Sequence, residues 1–166
     1  MIQIKGTDLE RAAKEGMDAF LKVFQDAYRA QMQGGELSTE SMQLLSADQH
    51  TLYAYLVLRD EIMEGGFIQL IQNGWGAYMF HNPVAKALKS WGLDELSQIL
   101  YDARRLYDRN REQLERESTD EEFMAMYEQW PEFEPLEERF IEEEEQWTGM
   151  VACYVDDHLD LFAEVI

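Results

Sequence analysis

The sequence predicts an all-α fold: a single-domain helical bundle of about six to nine helices, with short broken helices in the middle. Apolar residues recur at spacings of three and four along nearly the whole chain, and no run of strand-like alternation interrupts them. The third observation bounds the size. A chain of 166 residues with 46% hydrophobic and 12% aromatic content is too apolar for disorder, fits one domain over 1–166, and can bury a core without a metal or disulfide.

The first helix is expected from Asp8 to Met32, where Leu9, Ala13, Met17, Phe20, Phe24 and Tyr28 fall on one face before Gly34-Gly35 stops it. Ser46 and Gln49 form a capping box that opens a helix through Leu52, Tyr55, Leu56 and Ile62 to Gly65-Gly66. Between Phe67 and Gly92, Asn73-Gly74 and Asn82-Pro83 break the pattern into short helices, with Asn82 suited to the N-cap and Pro83 to the first helical position. Asp94 caps a long helix to about Glu117, with Asp108/Arg111 and Glu112/Arg116 spaced to pair across a turn. A second capping box, Ser118 with Glu121, opens a helix to about Trp130. Pro131 and Pro135 bracket a connector, and a last long helix begins near Pro135. The expected core comprises Phe20, Phe24, Leu56, Phe67, Leu100, Phe140, Trp147 and Tyr154.

Charge dominates the composition: 34 acidic residues against 14 basic, a net charge of -20. Met1 to Glu117 holds 18 acids and 13 bases, whereas Ser118 to Ile166 holds 16 acids and one base, Arg139. Such a chain repels nucleic acid and anionic membranes, so no direct nucleic-acid or membrane binding is expected. Its attraction is for cationic partners. This is not a low-complexity tail, because Phe123, Met126, Tyr127, Trp130, Phe133, Phe140, Trp147 and Tyr154 run through it and need a core.

Motifs for catalysis are missing. The residues three before His50, His81 and His158 are Ala47, Tyr78 and Val155, so the Glu-x-x-His pairs of di-metal bundles do not occur. Asp156-Asp157-His158 are consecutive on a helix and diverge, which suits an edge histidine beside solvated acids better than a metal site. Gly74-Trp75-Gly76 lacks the third glycine of a dinucleotide fingerprint and reads as a helix break. No catalytic residue, cofactor or metal is expected. The lone Cys153 reads as a small core residue, and with no apolar leader near Met1 the expected location is cytoplasmic.

On the last helix, about 100° per residue places Leu136, Phe140, Trp147, Met150, Val151, Tyr154 and His158 in one arc and Glu138, Glu142, Glu145 and Asp156 in the other, with Glu134 just before. Same-sign neighbours at i,i+4 each cost about 0.2–0.5 kcal/mol. Helix-face carboxylates stand about 5–6 Å apart at Cβ, close enough to imitate a duplex carrying one charge per about 1.7 Å of axis. A solvated acidic surface accounts for the same pattern without any partner. The candidate partner-binding set is Glu121, Glu122, Glu128, Glu132, Glu134, Glu137, Glu138, Glu142, Glu145, Asp156, Asp157 and Asp160. Glu143 projects into the apolar arc and needs a partner of its own.

Gly65-Gly66-Phe67-Ile68-Gln69 followed by Asn73-Gly74 resembles the Gly-Gly-Phe-x-Gln…Asn signature of the all-helical bacterial family of the neisserial nineteen-kilodalton DNA mimic protein. The similarity runs from about Met17 to Phe162, including the closing Tyr154…His158…Phe162. The resemblance implies a dimeric, non-enzymatic protein that imitates duplex DNA and occupies the DNA-binding surface of a basic, helix-turn-helix transcription factor. The residues alone leave two rivals: a generic acidic interaction or immunity-type protein for a basic partner, and a carboxylate- or cation-dependent enzyme. In physical terms the paired glycines turn the chain, Phe67 plugs the core, and Gln69 and Asn73 satisfy backbone at the breaks.

Overall fold

The computed structural model describes residues 1–34 and 36–166, and they are all-α as the periodicity predicts. Ten α-helical segments occur among the described residues, two of them single turns. In order they are α1 (Gly6–Glu15), α2 (Met17–Gln31), α3 (Thr39–Met42), α4 (Ala47–Gln72), α5 (Gly76–Phe80), α6 (Val84–Ser90), α7 (Asp94–Glu115), α8 (Asp120–Gln129), α9 (Glu134–Asp157) and α10 (Leu159–Phe162). A 3-10 turn, Pro131–Phe133, precedes α9. The two-residue strands β1 (Gln3–Ile4) and β2 (Glu164–Val165) pair in parallel. No helix of the described residues is long and apolar enough to cross a membrane.

Contacts group the chain into two compact units, Met1–Leu56 with Glu145–Ile166, and Val57–Glu144. In the first, Phe20, Phe24 and Tyr28 stack along α2 at 5.4 and 6.3 Å between ring centres. The Tyr28 hydroxyl and the Gln49 amide both donate to the Phe162 carbonyl, at 2.8 and 3.0 Å. Tyr55 and Thr148, both buried, share a hydrogen bond of 2.7 Å. In the second unit, Phe67 lies 5.6 Å from Phe133 and 6.2 Å from Phe80, and Phe80 packs on Tyr107.

The expected core residues are buried except Tyr154, which is half-buried and stacked on His158 at 4.1 Å. His158 is half-buried too, with Nδ1 2.7 Å from the Tyr154 carbonyl oxygen. Cys153 is exposed rather than part of the core. On α9 it falls between Met150 and Asp156, just beyond the edge of the apolar arc.

Several boundaries differ from the sequence expectation. The first helix is two, because Gly16 at φ 133° turns the chain between α1 and α2, which then pack together and leave Ala13 exposed. Gly65-Gly66 does not end α4. The helix kinks at Gly66 and continues to Gln72. The cap before α6 is Pro83, Asn82 instead donating to the Tyr78 carbonyl. Leu93 caps α7, and Asp94 is its first residue. The α8 box is Thr119 with Glu122, one residue later than expected, since Ser118 Oγ is taken by the Arg116 carbonyl. The ion pairs along α7 among the described residues are Arg105–Asp102, Arg104–Asp108 and Arg111–Glu115 rather than those expected. The Ser46–Gln49 box forms as predicted. Gly35, half of the expected stop after the first helix, lies outside the described residues.

Candidate functional site

The acid-bearing segment of the second unit is held from beneath by its aromatic residues. Thr119 and Glu122 cap α8 reciprocally, and Asp120, Glu121 and Glu122 occupy its first turn, where negative charge meets the positive end of the helix dipole. Trp130 ends α8 and Pro131 starts the 3-10 turn. Fully buried Phe133 and Phe140 anchor that turn and the first half of α9.

With the inward arc fixed, the other side of the segment is acidic. Glu121, Glu122, Glu128, Glu132, Glu134, Glu138 and Glu142 are all exposed. Glu134, Glu138 and Glu142 succeed one another at i,i+4 and share a face of α9. Glu145, Asp156, Asp157 and Asp160 are exposed as well and belong to the other unit.

Compensation is sparse. Arg139 binds Glu95, Glu142 and Glu143, with contacts of 3.2 Å to Glu142 and 3.0 Å to Glu143. Its guanidinium holds Glu95 below the usual carboxylate range. It also supplies the partner that half-buried Glu143 requires. Arg116 reaches Glu122 at 3.5 Å. Arg104 and Arg105 pair with Asp108 and Asp102 on their own helix. Among the described residues, no ion pair engages Glu121, Glu128, Glu132, Glu134 or Glu138.

Glu137 does not belong to this face. It is half-buried, and its carboxylate accepts the Phe67 backbone N–H at 2.6 Å. Burial pushes its pKa up, Glu134 adds to the rise, and the hydrogen bond from Phe67 opposes it. The kink at Gly66 frees that N–H from the helical ladder, so Glu137 serves as a cap for the second half of α4. Tyr127, from α8, donates to the Gly65 carbonyl at 2.7 Å on the other side of the break.

Residues 43–158 match the family described as DMP19-like protein. The chain belongs to the DMP19-like protein family. A relative, "DNA mimic protein DMP19" of Neisseria meningitidis serogroup B (strain ATCC BAA-335 / MC58), is 34% identical over 127 residues, covering 76% of this chain and 77% of that protein. The DMP19-like span includes the glycine signature and the exposed acids from Glu121 to Asp157, and excludes Asp160.

In this DMP19-like chain Phe67 plugs the core as read in the sequence, while the polar residues of the signature do different work. Gln69 and Asn73 leave the backbone alone and donate to the Glu61 carboxylate, at 3.0 Å from Gln69 and 3.0 and 3.1 Å from Asn73. Glu61, Tyr127 and the capping role of Glu137 are invisible to helical periodicity. The one available signal was two adjacent glycines inside an otherwise continuous helical pattern. Among the described residues, no group of three His, Cys, Asp or Glu side chains could hold a metal ion.

Proposed function

We propose that this chain is a DNA mimic that binds the DNA-binding surface of a basic protein, a helix-turn-helix transcription factor, and keeps it from DNA. The row Glu134–Glu138–Glu142, exposed at i,i+4 and, among the described residues, met by a cation only at its Arg139 end, carries this reading. Acids tolerated at this density, on a segment whose other side is firmly packed, present fixed negative charges at intervals that cations arranged for phosphates can meet. Family membership and the 34% identity to a protein named for DNA mimicry support the same conclusion. The chain acts by occupancy, without catalysis, as a homodimer in the cytoplasm. Glu121, Glu128 and Glu132 extend the row within the same unit.

The test begins with capture of the partner on immobilised protein, elution with duplex DNA, and a mobility-shift assay on the eluted protein. DNA and this chain should compete for one site. Replacing Glu134, Glu138 and Glu142 together by Gln keeps side-chain shape and removes three charges. It should weaken binding, reduce its salt dependence, and leave the helix as stable or slightly more so. A ternary complex of chain, regulator and DNA, or undiminished binding by the triple variant at low salt, refutes the proposal.

A further inference from the structure

Between the end of α5, the start of α6 and the middle of α7, all within the second unit, lies a cavity of about 330 Å³. Phe80, Leu100 and Tyr101 supply apolar and aromatic lining, and three basic side chains, His81, Lys86 and Arg104, line it beside the Asn82 amide. Among the described residues, no carboxylate does. In a chain where acids outnumber bases 34 to 14, that is the reverse of the general surface. Two other cavities of the unit, about 400 and 530 Å³, include Glu122 in one case and Glu112 and Glu115 in the other.

The nearest anion is Asp108, which is already shared. Its carboxylate is 2.6 Å from His81 Nε2 and 3.4 Å from Arg104 Nε. That bond occupies Nε of Arg104 and leaves the terminal nitrogens of its fork for another acceptor. Lys86 makes no ion pair among the described residues. Tyr101 is an exposed aromatic of the lining. Cations beside an apolar lining, in a cleft within the volume range of small-molecule sites, fit a ligand that carries both an anion and a flat hydrophobic body.

We infer that this cavity binds a small organic anion, an aromatic or heteroaromatic carboxylate, with Lys86 and Arg104 holding the charged group and Phe80, Leu100 and Tyr101 the ring. The site is separate from the acidic row and does not depend on the DNA-mimic reading.

The experiment titrates the full chain with 2-naphthoate, its uncharged isostere 2-naphthamide, and inorganic phosphate, read by calorimetry and by amide shifts in ¹H–¹⁵N spectra. Naphthoate should bind saturably, with shifts concentrated between residues 79 and 104. Naphthamide should bind about tenfold or more weaker, the loss expected when a charge-assisted contact goes unmade. Lys86→Met and Arg104→Met change exposed side chains, so both variants should melt with the wild type while each loses naphthoate affinity by a similar factor. Equal binding of naphthoate and naphthamide, shifts elsewhere on the molecule, or full affinity in both Met variants overturns the inference. Phosphate binding as tightly as naphthoate overturns the part assigned to the ring.

Discussion

Replacing Gly66 by Ala should be among the most damaging single changes in this protein, although it adds one methyl group. Gly66 sits at φ 83° and ψ -171°, a region open in practice to glycine alone, and forcing another residue into it costs about 1–3 kcal/mol. A Cβ there would also fall well inside contact distance of Glu137 Oε2. Glu137 must then swing away, and the Phe67 N–H it caps loses its partner, for about another 1–3 kcal/mol. The two together come to about 2–6 kcal/mol, against a total stability for ordinary domains of about 5–15 kcal/mol. Urea unfolding monitored by circular dichroism measures it directly. Because part of the damage passes through Glu137, a cycle with Glu137→Ala must be non-additive, the double variant losing less than the sum of the singles. A loss below about 1 kcal/mol, or strict additivity, would refute the account of the glycine signature as a seat for Glu137.

Glu137 makes a pH prediction of its own. Its folded pKa is raised, chiefly by burial, so the folded state holds the proton more tightly than the unfolded chain does. The stability this contributes is present below the ordinary carboxylate range and is lost as pH climbs through the raised value. Glu137→Gln should therefore gain on the wild type in urea midpoint between about pH 4 and about pH 7, and a constant difference would contradict the assignment. Arg139→Met removes the cation shared by Glu95, Glu142 and Glu143. It should lower the urea midpoint modestly at low salt and by less at high salt, seen in the same unfolding assay at two ionic strengths. Exposed Cys153 should react fully with a thiol reagent in the native protein, without prior unfolding.

What could be read from the sequence was local. Ser46 with Gln49, the end of α8 at Trp130 and the apolar arc of α9 depend on neighbours within a turn or two, and all appear in the structure. The break at Gly16 escaped because the apolar spacing of Leu9, Met17 and Phe20 passes across it as though the helix continued. Two overlapping capping boxes, Ser118 with Glu121 and Thr119 with Glu122, look equal in one dimension. The Ser118 hydroxyl bonding to Arg116 decides between them. For the acidic face, exposure was legible from the helical wheel. The inward turn of Glu137 depends on the Phe67 N–H, 70 positions away, and the reach of Arg139 to Glu95 spans 44, so neither could appear in a wheel.

The first unit draws on Met1–Leu56 and Glu145–Ile166, and its small sheet joins Gln3–Ile4 to Glu164–Val165. During synthesis, everything between its two parts is polymerised before the second part exists. Phe162, whose carbonyl receives both Tyr28 and Gln49, is among the later residues to emerge. The unit from Val57 to Glu144 has a continuous sequence and can close as soon as it is clear of the exit tunnel. Folding order during synthesis should thus run against chain order, with α1 and α2 waiting for Glu145–Ile166. Arrested nascent chains cut at residue 144 and extended by an unstructured linker long enough to carry Glu144 clear of the tunnel should protect the central unit from protease and leave the first helices open to it.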